Sequence, residues 1–311
     1  MSEGMRFLTA DVFTDRMFGG NQLAVFPEAE GLEAGVMQSI ARELNISETV
    51  FVLPPADPRH TRKLRIFTPG AELPFAGHPT IGTAFVLASI GDVRLNAGEA
   101  SIVFEEGVGL VPVTVRAGTG GSTYCELTAA RLPEEGPPPP AREEIAAALS
   151  LKTEELRHDT LFPRGVSCGV PYLFVPLRDL EALARARINL PAWERTLSEW
   201  WAPAVFPFTE TGGNGGVDLR ARMFAPGVGI SEDPATGSAA AALAGYLAAE
   251  RGPENGTVRW LVEQGVEMGR PSRLHVACDR SANRISAVRV GGSSVLVSEG
   301  RLAVRPRGGV G

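Results

Sequence analysis

Two stretches decide how this chain is organised. "RIFTPGAELPFAGHPTIGTA", residues 65–84, aligns with "RMFAPGVGISEDPATGSAAA", residues 222–241. Arg65, Phe67, Pro69 and Gly70 match Arg222, Phe224, Pro226 and Gly227. After a two-residue gap, His78, Pro79, Gly82 and Ala84 match Asp233, Pro234, Gly237 and Ala239. The offset is about half the chain length, so the repeat is a duplicated domain and not a solenoid unit. Each copy has a strand, a Pro-Gly turn, a loop and then an apolar helix of small residues that opens on turn-forming residues.

Working outward, "EAGVMQSIARELNI" (33–46) has helical spacing and leads into the strand "TVFVL". Short strands follow at "SIVFEE", "LVPVTVR" and "TYCEL", and later at "TVRWLVEQ", "RLHVACD", "SAVRV", "SVLVSEG" and "RLAVRP". "GGNGG" at 212–216 reads as a hairpin or loop. The fold class is therefore α+β, two pseudo-symmetric halves, each a curled, mostly antiparallel sheet around a central helix. Residues 1–130 form the first half, 131–144 a Pro-rich connector and 145–311 the second half, whose last strands could return to the first.

The chain has 311 residues, 44% hydrophobic and 21% charged, with a net charge of −6. That acidity and the scattered basic residues argue against nucleic acid or an anionic membrane as partner. No apolar run is long enough to span a bilayer, and the first residues lack the pattern of a signal peptide, so a cytoplasmic protein is expected. Cys125, Cys168 and Cys278 are widely spaced with no CxxC, as reduced buried thiols would be. His60, His78, His158 and His275 stand apart from other ligand types, so no metal site is expected. His60 and His158 read as surface groups and His275 as a strand residue.

The repeat directs attention to the turns before the two central helices: Gly77, His78 and Thr80 in one, Asp233, Thr236, Gly237 and Ser238 in the other. A helix N-terminus presents unpaired N–H groups and a partial positive charge, so two of them facing one another would grip a carboxylate. The competing reading is that Asp233 and Ser238 merely cap a helix. Glu48, in "NISETVFVLP", stands between a helix end and a β-rich strand. In apolar surroundings it would suit proton transfer; as an ordinary solvated glutamate it would not.

"DVFTDRMFGGNQLAVF", "ISETVFV", the two repeat stretches and "EQGVEMGRPS" together closely resemble the PhzF-like proteins of phenazine biosynthesis, which share the diaminopimelate-epimerase-like fold. The resemblance implies an isomerase that moves a proton between carbons of a dihydro-hydroxyanthranilate-like small carboxylate, with no metal and no organic cofactor, working as a homodimer. It implies Glu48 as acid/base, His78 and Asp233 as the other catalytic polar groups, and Gly77, Gly237 and Ser238 as substrate-carboxylate binders. The related epimerases use a cysteine in each loop; neither loop here has one. A non-catalytic anion-binding protein on the same scaffold, or an epimerase or racemase of another substrate, are the alternatives.

Overall fold

The computed structural model describes residues 4–118 and 122–304, which divide into two units. The first runs to Ala130 and resumes at Gly291; the second is Arg131–Val290.

In the first unit, alternating apolar residues build β1 (Met5–Val12), β2 (Asn21–Phe26), β3 (Glu48–Leu53), β4 (Arg62–Phe67), the two-residue β5 (Glu72–Leu73), β6 (Glu99–Glu106), β7 (Gly109–Ala117) and β8 (Thr123–Thr128). Helix α1 (Ala34–Leu44) joins β2 to β3, and α2 (Gly77–Ser89) lies between β5 and β6. Residues 294–302 pair antiparallel with β1, and the same long strand also follows β8, so the sheet closes around α2. Helix α2 is buried from Gly77 to Leu87. A helix that is apolar all round belongs inside a core, and this one has no polar face to offer water. Helix α1 lies on another face, where Met37, Ile40 and Ala41 pack with Phe26, Phe51 and Phe67.

The second unit contains β9 (Glu134–Glu135), α3 (Arg142–Ala148), β10 (Arg164–Ser167), β11 (Pro171–Pro176), α4 (Leu180–Arg185), α5 (Leu190–Thr196), β12 (Ala204–Glu210), β13 (Leu219–Ala221), α6 (Gly237–Arg251), β14 (Gly256–Gln264), β15 (Ser272–Ser281) and the first part of β16 (Arg284–Leu302). Helix α6 is its buried central helix, nearly every residue from Gly237 to Ala248 being inaccessible. Helices α3, α4 and α5 form a separate apolar cluster with Leu173, Val175 and Val205.

The pairing sense shows the duplication directly. Along β1-β2-β3-β4-β6-β7 the neighbours run antiparallel, parallel, antiparallel, parallel, antiparallel. Along β10-β11-β12-β13-β14-β15 the same series recurs. In both series the second parallel pair is joined through the central helix, because parallel neighbours need a long crossover.

One sequence expectation is corrected. "SAVRV", "SVLVSEG" and the start of "RLAVRP" are one 19-residue strand, β16, not three; residues 305 and 306 lie outside the described residues. The intervening Gly291 marks close approach and not a turn: a Cβ there would sit 2.5 Å from the Tyr124 hydroxyl and 2.8 Å from the Cys125 carbonyl. The actual turn lies earlier, where Ala282 and Asn283 both take positive φ between β15 and β16. Residues 142–196, for which the sequence reading assigned no elements, hold three short helices that the periodicity does not show. In two of them the caps are the missed signal: Asp179 accepts from the Ala182 N–H in α4 and Asn189 from the Ala192 N–H in α5. "GGNGG" does form the turn of the β12–β13 hairpin.

Candidate functional site

In the first unit, α1 stops at Asn45, whose left-handed backbone ends the helix and whose N–H bonds the Ala41 carbonyl. Three residues on, Glu48 opens β3 opposite Leu23 of the parallel β2. Glu48 is buried, 7% exposed, and its Oε2 lies 3.0 Å from Nε2 of His78, itself 4% exposed. The solvated-glutamate reading of Glu48 is therefore overturned: the residue faces inward onto an imidazole.

His78 is the second residue of α2, after Gly77. Its Nδ1 lies 3.2 Å from Nδ2 of Asn21, the fully buried first residue of β2. This contact ties the imidazole at the head of α2 to the start of β2. Asn21 was missed by sequence reasoning although it lies in the motif "GGNQLAVF"; an asparagine at a strand start has no distinguishing local pattern.

Thr80, in the first turn of α2, brings a second acid into this unit. Its Oγ1 lies 2.8 Å from the Ala76 carbonyl and 2.7 Å from Glu106 Oε1. Glu106 Oε2 is shielded from solvent with no hydrogen-bond partner. Burial pushes this carboxyl up to about 8 from an ordinary 4.5, with the Thr80 bond opposing. At neutral pH Glu106 therefore keeps its proton and can donate it to Thr80, which in turn serves Ala76. Between about pH 4.5 and 8 the unfolded chain releases this proton while the native state holds it, so native stability falls as pH rises through that window. Glu106→Gln is expected to be more stable than the parent by at least about 2 kcal/mol at pH 8, and by far less at pH 5. Urea midpoints at both pH values check this; a difference independent of pH would mean that Glu106 is ionised throughout.

In the second unit, Asp233 is buried and its N–H bonds the Met223 carbonyl. Asp233 Oδ2 accepts from the Thr236 hydroxyl at 2.5 Å. Gly237 is the first residue of α6, and Ser238 Oγ lies 2.8 Å from the Tyr172 hydroxyl. Neither Asp233 nor Ser238 caps α6: its N-cap residue is Thr236 and no side-chain cap bond is made. The capping alternative is overturned, and α2 likewise begins at Ala76 without a side-chain cap.

The sequence-predicted residues thus fall into two sets. Glu48, Gly77 and His78 are gathered in the first unit, and Asp233, Gly237 and Ser238 in the second. Arg222, matched to Arg65 by the repeat, is wholly buried and holds Glu232 at 2.7 Å through both Nε and Nη2.

The three cysteines are buried and unbridged. Desolvation lifts Cys125 and Cys168 to about 12 and Cys278 to about 11, far from a thiolate base at neutral pH. His158 is exposed and His275 is a strand residue, but His60 is not simply a surface group. Its Nδ1 lies 2.8 Å from Glu105 Oε1, and both side chains are mostly covered. Among the described residues, no three His, Cys, Asp or Glu side chains converge to hold a metal, and no helix is long and apolar enough to cross a membrane.

The family profile of the phenazine biosynthesis-like proteins matches residues 10–300. An uncharacterized isomerase of Mesorhizobium japonicum is 40% identical over 96% of this chain and 98% of its own length. The trans-2,3-dihydro-3-hydroxyanthranilate isomerase of Pseudomonas aeruginosa is 36% identical over 95% of this chain and 98% of its own. The crystal structure of a PhzF-family protein of Bacillus anthracis superposes with a TM-score of 0.87 at 25% identity, covering 97% of this chain and all of that one. With the duplicated fold and the buried acid–imidazole pair, these likenesses make the chain an isomerase of the phenazine biosynthesis-like protein family.

Proposed function

We propose that the protein moves a proton between carbons of a small cyclic carboxylate resembling trans-2,3-dihydro-3-hydroxyanthranilate, with Glu48 as the acid and base. The observation that carries this reading is the buried contact of Glu48 with His78 at 3.0 Å. A carboxylate whose Oε2 lies against the imidazole keeps Oε1 for substrate. It takes a proton from an acidic C–H and, now protonated, returns it to another carbon on the same face. His78 steadies the carboxylate and is itself anchored by the Asn21 amide at Nδ1. In the first unit the Gly77 N–H is the proposed donor to a substrate carboxylate; in the second, Asp233 is the proposed catalytic polar group and the Gly237 and Ser238 N–H groups are the proposed carboxylate donors. The reaction as written uses no cofactor.

A two-thiol epimerisation is disfavoured, since all three thiols are buried and poorly acidic and none stands in either turn. A binding protein that performs no chemistry gives the opposite result in the deciding experiment. Proton NMR in D₂O with trans-2,3-dihydro-3-hydroxyanthranilate, and with a panel of small carboxylates, should show an isomerised product carrying deuterium at one carbon. Ligand protection in a thermal-shift assay without any exchange would favour binding alone.

A further inference from the structure

The motif "EQGVEMGRPS" has so far been given no task, and the structure assigns it one. We propose that Gln264 is a positioning residue that, through Thr236, fixes Asp233 as a hydrogen-bond acceptor. This rests on the reading of Asp233 as part of the working site.

Gln264 ends β14 opposite Ser272 of β15 and is fully buried. Its Oε1 accepts from the Thr236 backbone N–H at 3.1 Å. That group can only donate, so the carboxamide orientation is settled without ambiguity. Nε2 must then be the atom 2.8 Å from the Asp233 carbonyl and 3.0 Å from Thr236 Oγ1. The Thr236 hydroxyl oxygen accepts a hydrogen bond from Gln264 Nε2 and has its own O–H left to donate. The acceptor waiting for it is Asp233 Oδ2. The chain of donors therefore runs one way, from Gln264 to Thr236 to Asp233, and ends on a carboxylate oxygen that bears no proton.

The rest of the motif holds Gln264 in register with the turn. Gly265 has φ +75°, and a Cβ there would lie 2.6 Å from the Pro234 carbonyl and 2.5 Å from the Arg270 carbonyl. Ser272 Oγ donates to the same Pro234 carbonyl at 2.8 Å. Charged groups stand on the flanking elements, among them Arg273 of β15 opposite Glu263. Arg222 pairs with Glu232, Arg220 with Glu263 and Glu267, and Arg270 adds one positive charge. The Thr236 hydroxyl is the group through which Gln264 reaches the Asp233 carboxylate.

Gln264→Glu tests this without changing side-chain size. A carboxylate at 264 accepts from the Thr236 hydroxyl and draws its proton away from Asp233. Full-length protein labelled with ¹³C-aspartate reports the Asp233 carboxyl titration by NMR, independent of any substrate. The midpoint is expected to rise by at least one pH unit in Gln264→Glu and in Thr236→Val, and to return toward the parent value in Thr236→Ser. Should the buried charge prevent Gln264→Glu from folding, the Thr236 pair decides the question. An Asp233 titration unmoved in folded Thr236→Val overturns the proposal. The acid limb of the isomerisation pH profile is expected to move with the Asp233 midpoint. A moved titration with an unmoved profile would keep the Gln264 role and remove Asp233 from the reaction, so the two failures are separable.

Discussion

Glu48→Gln is expected to lower kcat/KM for trans-2,3-dihydro-3-hydroxyanthranilate by 10²–10⁴, the usual loss when an acid/base is removed. The substitution is nearly isosteric. The amide keeps the size of the carboxyl and an oxygen against His78 Nε2, so the buried contact and the Asn21–His78 bond should survive. What disappears is a group able to take a proton at neutral pH. The loss should therefore fall on kcat, with KM and the thermal midpoint little changed. Activity within about tenfold of the parent would remove Glu48 from the role. A large fall in stability would show that the carboxylate matters to the fold rather than to the chemistry.

The second large effect concerns the Arg pair that the duplication preserved. Arg65 grips Glu72 with both Nε and Nη2 and lies 5.2 Å over Phe67. Arg222 grips Glu232 in the same two-pronged manner and lies 4.9 Å over Phe224. Their surroundings differ. The Arg65 and Glu72 side chains are 23% and 42% exposed, whereas Arg222 is 2% exposed and Glu232 16%. Arg222 also donates to the carbonyls of Leu183 and Ala186, at 3.1 and 2.8 Å, around the end of α4. Removing it strands a mostly buried carboxylate and those carbonyls. Arg222→Ala should cost about 3–5 kcal/mol, the range for breaking a buried pair. Arg65→Ala should cost less than about 1 kcal/mol, because water replaces what is lost at an exposed pair. Urea unfolding of both variants checks the contrast. Equal costs would mean that burial does not separate the two sites.

How far the sequence was readable depended on the range of the interactions concerned. The two central helices, α1 and the strands β3, β4, β6, β7 and β8 were visible in periodicity and turn residues, which act within a few neighbours. The short helices α3 to α5 were not, because six or seven residues hold too little periodicity, and their stability comes from the apolar cluster they share. β16 was broken into pieces on paper because Gly291 and Gly292 look like a turn. Only the nearness of Tyr124 and Cys125 reveals why glycine is needed at the first of them.

The site divides in the same way. Repetition alone singled out His78 and Asp233, and the ordered motifs added Glu48, Gly77, Gly237 and Ser238. Sequence also excluded a loop thiol, since neither turn contains cysteine. Whether Glu48 was solvated or buried, and whether Asp233 and Ser238 were caps, could not be read from local pattern. Those answers depend on partners distant in the chain: His78 for Glu48, Asn21 for His78, Tyr172 for Ser238 and Gln264 for the turn that bears Asp233. The sequence by itself determined the duplicated α+β fold and the residue types that could do proton chemistry. The tertiary structure alone decided their burial and the direction of their hydrogen bonds, because desolvation and donor–acceptor matching exist only once remote segments meet.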